Sequence, residues 1–189
     1  MSSADVEIYG ALARAFGALH VRWYVFGAQA AILHGAVRFT EDVDVTVEIG
    51  DRPHRALADA LLAEGFEPRS DDEKFVEQTR VLPIVHRSTN TPVDVVLAGR
   101  GIEDLFFEGA IEIAIEGLNV PVARAEDIVV MKILAGRPKD LEDVVAILSA
   151  QGDSFEQQRT LWLLGLLEQG LDQSDLLPLF ERCRARATG

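Results

Sequence analysis

Three aspartates, Asp42, Asp44 and Asp94, carry the most suggestive chemistry of this 189-residue sequence. Asp42 and Asp44 open a segment, residues 42–49, that alternates polar and apolar residues as a half-buried strand does. Side chains two positions apart on a strand share one face, with their Cα atoms about 6.5–7 Å apart. Two carboxylates placed in this way can bind one Mg²⁺ or bridge two, because Mg²⁺ prefers carboxylate oxygens together with substrate phosphates.

Asp94 lies inside the apolar segment PVDVVL, which also has the composition of a strand. A carboxylate in such a strand is costly to bury unless it is paired, hydrogen-bonded or bound to a metal. For the D-x-D pattern alone, a polar outer face on an ordinary strand is the simpler interpretation. The crowding of Asp42, Asp44 and Glu48 without a basic residue among them favours a bound cation instead.

A turn at Gly27 supplies a candidate phosphate site. The segment RWYVFG, which ends at Gly27, is aromatic and β-branched like a short buried strand, and the Ala-rich segment AQAAILHG after it predicts a short helix. Backbone N–H groups at such a turn and at a helix N-terminus can receive phosphate oxygens. The strand, turn and helix, followed by the acidic strand, predict a phosphate cradle opposite a metal site.

The hydrophobic pattern of the remaining chain predicts the elements that position these residues. Helices are predicted over residues 4–18, 53–65, 102–116, 126–136, 138–148, 155–170 and 174–187, and two further strands over 79–88 and 91–98. Strands cluster in the first two-thirds and helices in the last third. The predicted fold is α/β or α+β: a mixed sheet flanked by helices over residues 1–120, followed by a C-terminal helical subdomain over 121–189.

Composition narrows the functional classes. The net charge of −13 argues against a general nucleic-acid binder, which needs a basic surface. Cys183 is the single cysteine, so neither an internal disulfide nor a thiolate metal cluster can form. The first ten residues lack the features of a signal peptide, and no apolar run approaches the roughly 20 residues that span a bilayer. A soluble, cytoplasmic protein without a membrane partner is expected.

Two segments resemble a known family. GAQAAILHGAVRFTEDVDVTVE is similar to the first motif of the nucleotidyltransferase (polymerase β-like) superfamily, in the branch of the AbiEii-type toxins and the aminoglycoside and lincosamide nucleotidyltransferases. EDIVVMKILAGRPKDLEDVVAIL resembles the later helical motif of AbiEii-like proteins, where a lysine and a K/R-D-x-x-D element border the nucleotide. The likeness runs from about residue 21 to 148.

The resemblance implies roles for individual residues. Asp42 and Asp44 would coordinate Mg²⁺ (or Mn²⁺) on a nucleoside triphosphate, with ATP as the expected donor. Asp94 would complete the metal site and act as general base for the acceptor hydroxyl. The proposed contacts to the nucleotide are the backbone N–H groups of Gly27 and Ala28, the ammonium of Lys132, and the more peripheral cations Arg38, Arg137 and Lys139. Ala28 departs from the family pattern, which has Ser or Gly there.

The expected function is Mg²⁺-dependent transfer of a nucleoside monophosphate from an NTP to an acceptor hydroxyl. The AbiEii-like helical motif favours a toxin that acts on RNA or protein and has an antitoxin partner. The acidic composition favours the alternative of an enzyme that modifies a cationic small molecule, as the aminoglycoside and lincosamide nucleotidyltransferases do. A non-catalytic nucleotide-binding or partner-binding module of a toxin–antitoxin pair is the third hypothesis, which the Ala28 departure favours mildly.

Overall fold

The computed structural model describes residues 3–70 and 72–188. Over these residues the chain forms nine α-helices, seven β-strands and one short 3₁₀ helix. In chain order they are α1 (Ser3–Ala18), β1 (Trp23–Phe26), α2 (Gly27–Leu33), β2 (Val43–Val47), α3 (His54–Ala63), β3 (Phe66–Pro68), α4 (Glu73–Thr79), β4 (Val81–His86), β5 (Thr91–Leu97), α5 (Ile102–Gly109), β6 (Ile111–Ile115), β7 (Leu118–Val122), α6 (Ala125–Ala135), α7 (Pro138–Gln151), the 3₁₀ helix (Gly152–Ser154), α8 (Gln157–Leu171) and α9 (Leu176–Thr188).

The chain divides into two compact units. The first, called the sheet unit, comprises Met1–Gln29 and Thr40–Ala123, and the second, called the helical unit, comprises Ala30–Phe39 and Arg124–Gly189. The predicted fold class, a mixed sheet with flanking helices and a helical C-terminal part, is confirmed. The predicted boundary between residues 120 and 121 stays a prediction.

All seven strands form one sheet in the order β3-β4-β5-β2-β1-β7-β6. β2 pairs with β5 and β1 pairs with β7 in parallel, whereas the other neighbours are antiparallel. The central strand β2 is shorter than the predicted segment 42–49 and begins one residue after Asp42. Val43, Val45 and Val47 are fully buried on one face, as the alternation predicts, and Asp44 is half-buried on the other.

The predicted helix over 102–116 is wrong in its second half. α5 ends at Gly109, and residues 111–122 form the antiparallel hairpin of β6 and β7. Glu116 and Gly117 make its two-residue turn with φ values of 48° and 88°, the backbone that a tight hairpin requires. The alternation of Ile111, Ile113 and Ile115 is typical of a strand. The Glu and Ala residues between them are good helix formers, and they favoured the wrong prediction of a helix.

Two small elements, β3 and α4, lie almost wholly in residues 66–78, which carry no predicted element; α4 ends at Thr79, the first residue of the predicted strand 79–88. β3 is three residues long at the sheet edge, and it pairs with β4 between Phe66 and His86. α4 starts after Asp72, whose carboxylate accepts the N–H groups of Lys74 and Phe75 at 3.0 and 3.3 Å. Such short elements depend on their partners more than on any period in their own sequence.

The helical unit packs α6 to α9 around an apolar core. Side chains that are fully or almost fully buried there are Ile128, Val129, Ile133, Val144, Ile147, Leu163 and Phe180. The helices end where the predicted breaks lie: Gly136 adopts a left-handed conformation after α6, and Pro138 is the first residue of α7. Among the residues that the structure describes, no helix is both long and apolar enough to cross a membrane.

Candidate active site

Asp44 and Asp94 are direct partners across the parallel pair of β2 and β5. Paired residues on adjacent strands project to the same face, with the strands about 4.8 Å apart. The two carboxylates are therefore neighbours on one face of the sheet, although 50 residues separate them in the chain. Asp42 lies two residues before Asp44, is exposed, and its Oδ1 accepts the hydroxyl of Thr40 at 3.3 Å.

Gly27 brings backbone next to this acidic pair. Its Cα faces Asp44 so closely that an added Cβ would lie 2.7 Å from Asp44 Cγ and 2.9 Å from Asp44 Cβ. Gly27 also has φ at +67°, which side chains other than glycine disfavour. Only glycine fits this turn. The turn places the start of α2 against Asp44, which the sequence predicts to be a metal ligand.

Arg69 forms an ion pair with Asp94, Nη2 to Oδ1. Its side chain follows β3, and both partners remain more than a third exposed. Within the described residues, no group of three or more His, Cys, Asp or Glu side chains is drawn together to hold a metal ion. The guanidinium thus neutralises the carboxylate that the sequence assigns as third metal ligand.

The donor set nevertheless fits a hard divalent cation. Carboxylate oxygens are the ligands that Mg²⁺ and Mn²⁺ prefer, and Asp44 and Asp94 present two of them side by side. Gly27 lacks a Cβ, so its backbone comes close to Asp44, and backbone N–H groups at such a turn can receive phosphate oxygens beside the carboxylate. The three-aspartate metal site remains a prediction, supported by this pairing and this close approach.

A buried phenol lies near the acidic pair. Tyr9 on α1 is fully buried, and its hydroxyl has no hydrogen-bond partner among residues 3–70 and 72–188. Burial, and then the negative charges of Asp5 and Asp44, raise the pKa of Tyr9 above its usual value. The phenol therefore stays neutral at physiological pH and adds no charge beside Asp44.

The remaining predicted residues cluster in the helical unit. Lys132 on α6 is 6% exposed, and its Nζ lies 2.6 Å from Asp143 Oδ2 and 3.4 Å from Asp140 Oδ1. Arg38 Nη1 also contacts Asp143 Oδ2, at 2.7 Å, and Arg137 Nε pairs with Asp140 Oδ2. We call these three cations and two carboxylates the buried charge cluster, after the buried Lys132, Asp140 and Asp143; the side chains of Arg38 and Arg137 are 25% and 62% exposed.

Electrostatics within the buried charge cluster favours the ionised form of Asp140. Burial alone raises the pKa of Asp140, but the hydrogen bond from Arg137 and the charges of Lys132 and Arg137 outweigh it and lower that pKa. Lys139, the fourth predicted cation of this unit, is exposed at the start of α7. Contacts of Arg38, Lys132, Arg137 and Lys139 with a nucleotide stay predictions.

Arg69 and Tyr9 are the residues beside the acidic pair that the sequence did not reveal. Arg69 follows a three-residue edge strand, so its proximity to Asp94 depends on the pairing of β3, β4 and β5. Tyr9 sits in an amphipathic helix, where an aromatic residue on the apolar face is expected to be core. Neither position has a local pattern that distinguishes it.

Three solved structures with the same fold come from proteins of low sequence identity. The antibiotic-resistance factor ANT(2")-Ia, solved with adenylyl-2"-tobramycin, is 16% identical, with 90% of this chain and 99% of that chain covered and a TM-score of 0.61. The lincosamide antibiotic adenylyltransferase LnuA, lincomycin-bound, is 13% identical, with coverage of 77% and 96% and a TM-score of 0.53. An antigenic nucleotidyltransferase-like protein from Paracoccidioides brasiliensis is 20% identical, with coverage of 96% and 94% and a TM-score of 0.55.

A family model gives the more specific assignment. No curated protein matches the chain significantly. The model described as "Nucleotidyl transferase AbiEii toxin, Type IV TA system" matches residues 11–184, which include the acidic pair, the Gly27 turn and the buried charge cluster. This chain therefore belongs to the AbiEii nucleotidyl transferase toxin family.

Proposed function

We propose that this protein is a Mg²⁺-dependent nucleotidyltransferase that moves a nucleoside monophosphate from an NTP to an acceptor hydroxyl. The observation that carries the proposal is the direct pairing of Asp44 with Asp94 beside the Gly27 turn. Membership of the AbiEii family supports nucleotidyl transfer as the general reaction. ATP is the proposed donor.

The proposed mechanism assigns one task to each residue of the sheet unit. Asp42 and Asp44 would hold the divalent cation, Mg²⁺ or Mn²⁺, and the backbone N–H groups of Gly27 and Ala28 would hold phosphate oxygens. The cation, when bound, neutralises charge that develops on the phosphates during the displacement. Asp94 accepts the proton of the acceptor hydroxyl, whose oxygen forms the new bond to the α-phosphorus while pyrophosphate leaves with the electron pair of the broken bond.

Arg69 has to release Asp94 before this step, since a carboxylate in an ion pair is a poor base. The exposure of both side chains makes that exchange inexpensive, because solvent-exposed ion pairs contribute only about 0–1 kcal/mol. A cation held by Asp42 and Asp44 would compete with Arg69 for the same carboxylate. In the helical unit, Lys132, Arg38, Arg137 and Lys139 are the proposed source of further positive charge for the nucleotide.

The proposed acceptor is RNA or protein, with an antitoxin as regulatory partner, because the matched family is described as a toxin of type IV toxin–antitoxin systems. A second candidate acceptor is a cationic small molecule, which the net charge of −13 would attract. Two of the similar solved structures were determined with adenylyl-2"-tobramycin and with lincomycin, but at 13–16% identity these structures show the fold alone. The third candidate is a protein that binds a nucleotide without catalysing transfer. Ala28 supports it, because the family pattern has Ser or Gly at this position.

A transfer assay tests the proposal. The protein is incubated with Mg²⁺ and each α-³²P-labelled NTP in turn, together with total tRNA, co-purified protein or an aminoglycoside panel. We expect label on one acceptor class, and Asp94→Asn should reduce turnover about 10²–10⁴-fold while NTP binding persists through Asp42 and Asp44. Asp59→Asn is the matched control, because Asp59 is an exposed aspartate on α3 whose nearest cation, Arg55, is 3.9 Å away.

Each outcome of this assay decides between the candidates. Label on RNA or protein supports the toxin reaction, and label only on an aminoglycoside supports the small-molecule reaction. Tight Mg²⁺–NTP binding without transfer to any acceptor supports the non-catalytic module, and Ala28→Ser should then restore turnover if the phosphate cradle is the cause. Equal turnover of Asp94→Asn and the unsubstituted protein would overturn the assignment of Asp94 as base.

A further inference from the structure

A pocket lies in the sheet unit beyond the C-terminal ends of β2 and β5, whereas Asp42 lies before the N-terminal end of β2. It has a volume of about 640 Å³ and lies between the segments that precede β1 and follow β2 and β5. Its charged lining residues are Arg22, Glu48, Arg52, Arg80, Arg100, Asp51 and Asp104. Glu48, the residue after β2, is four positions beyond Asp44, which corresponds to about 13 Å at the rise of a strand. We call this cavity the arginine pocket.

One of the four arginines is neutralised within the protein. Arg22 forms a two-pronged ion pair with Glu48, with Nε and Nη2 donating at 2.8 and 2.9 Å. This hydrogen bond raises the pKa of Arg22 and lowers that of Glu48, so both remain charged. The pair forms one wall of the pocket and leaves no net charge there.

The other three arginines keep their positive charge. Arg80 donates from Nε to the carbonyl of Leu97 at 2.9 Å and from Nη2 to the carbonyl of Ala98. Arg52 Nη1 lies 3.3 Å from the carbonyl oxygen of Ile49. Neutral carbonyls orient a guanidinium without cancelling its charge, and no carboxylate in residues 3–70 or 72–188 forms an ion pair with Arg52, Arg80 or Arg100.

The two remaining carboxylates of the pocket compensate this charge incompletely. Asp104 Oδ2 accepts the backbone N–H of Gly101 at 3.1 Å and so caps the start of α5. Together with Asp51 it opposes three guanidinium groups, which leaves the pocket with a positive excess in a chain of net charge −13. A local cationic excess in an acidic protein concentrates small anions.

We propose that the arginine pocket binds a phosphate group through Arg52, Arg80 and Arg100. The planar guanidinium fork matches the oxygens of phosphate in a two-pronged manner, which an ammonium cannot do. The volume lies within the range of small-ligand sites, so pyrophosphate or a nucleoside monophosphate fits as well as inorganic phosphate. This site is separate from the three aspartates and goes beyond the proposed transfer reaction.

Binding is measured by calorimetry in EDTA at low ionic strength, so that metal-dependent nucleotide binding at the aspartates does not contribute. Inorganic phosphate, pyrophosphate and AMP are titrated separately, which distinguishes a free phosphate from a nucleotide as the source of the group. Arg52→Gln and Arg100→Gln should each weaken binding about tenfold or more, because a hydrogen bond to a charged group is lost. Both positions are exposed, so these variants should fold normally by circular dichroism.

Arg14→Gln is the matched control, since Arg14 is an exposed arginine of α1 outside the pocket, paired with Glu64 at 2.7 Å. It should retain the affinity of the unsubstituted protein. Absence of binding by all three anions, or equal loss in Arg14→Gln and Arg52→Gln, would overturn the proposal. Because no metal or turnover is involved, this result is independent of the outcome of the transfer assay.

Discussion

At the residue scale, Gly27 and Asp44 constrain each other. The carboxylate of Asp44 fills the space that a Cβ on Gly27 would take, and the positive φ of Gly27 sets the turn before α2. A larger residue would have to push Asp44 away from its partner Asp94 or twist the turn. The same position therefore limits both the shape of the cradle and the placement of the acid.

Gly27→Ala tests this coupling. Backbone strain at a positive φ costs about 1–3 kcal/mol, and the overlap with Asp44 adds to it. We expect a lower free energy of unfolding in urea and a loss of Mg²⁺-dependent NTP binding. Gly17→Ala is the control, because Gly17 is an exposed position in α1 with no neighbour within 4 Å of an added Cβ.

The control should be neutral or more stable by up to about 1 kcal/mol, since alanine is a better helix former than glycine. A Gly27→Ala protein as stable and as competent in NTP binding as Gly17→Ala would show that Asp44 can move freely. The close approach at Gly27 would then have no part in the site.

The acids and the glycine turn were predictable from the sequence, and their neighbours were not. Two local sequence patterns indicate these positions: polar–apolar alternation for Asp44, and the order strand, glycine, helix for Gly27. Arg69, which pairs with Asp94, is brought there by pairing of edge strands that no local period encodes. A single sequence therefore does not predict side-chain contacts that depend on the pairing of distant strands.

At the element scale, the same distinction separates β2 from β6. β2 is central in the sheet, with its three valines fully buried on one face and Asp44 and Thr46 alternating with them on the other. This polar–apolar alternation identifies it as a strand. β6 lies at the sheet edge with Ile111 41% exposed, and its Ala and Glu residues suit a helix equally well. The hairpin forms because β7 pairs in parallel with β1 and offers β6 its other edge.

The buried charge cluster holds α6, α7 and the segment around Arg38 within the helical unit. The balance of charges in the cluster predicts which substitution lowers the free energy of unfolding most. Removal of Lys132 leaves Arg38 with Asp143 and Arg137 with Asp140, two balanced pairs. Removal of Asp143 takes away the carboxylate that Lys132 and Arg38 both contact, and leaves these two cations close together.

Asp143→Asn should therefore destabilise the protein more than Lys132→Met. Removing one partner of a buried ion pair costs about 3–5 kcal/mol when it leaves the other charge uncompensated. Lys132→Met leaves no uncompensated carboxylate, because Asp143 and Asp140 stay paired with Arg38 and Arg137. The measurement is the free energy of unfolding in urea for each variant at pH 7. Equal losses would mean that water screens the cluster despite its burial.

Glu142→Gln is the matched control on the same helix. Glu142 is exposed and pairs with Arg186 at 2.8 Å, so the change should cost no more than about 1 kcal/mol. A loss comparable to that of Asp143→Asn would assign the effect to the general charge of α7 and not to the buried pairs.

At the scale of the whole molecule, like charges dominate. There are 31 Asp and Glu against 18 Lys and Arg, and many of the cations are already engaged in ion pairs or with backbone carbonyls. A chain with this excess repels polyanions over distances of a Debye length. An RNA acceptor would therefore have to be drawn by local cationic groups, of which the arginine pocket is one and the exposed Lys139 another.

Added NaCl should stabilise the free protein. The Debye length falls from about 30 Å at 0.01 M to about 8 Å at 0.15 M, which screens the net repulsion between carboxylates across the surface. Exposed ion pairs weaken as well, but each contributes only about 0–1 kcal/mol, so the excess negative charge decides the sign. We expect the melting temperature at pH 7 in EDTA to rise by several degrees over this range, and a fall would mean that the ion pairs outweigh the net charge of −13.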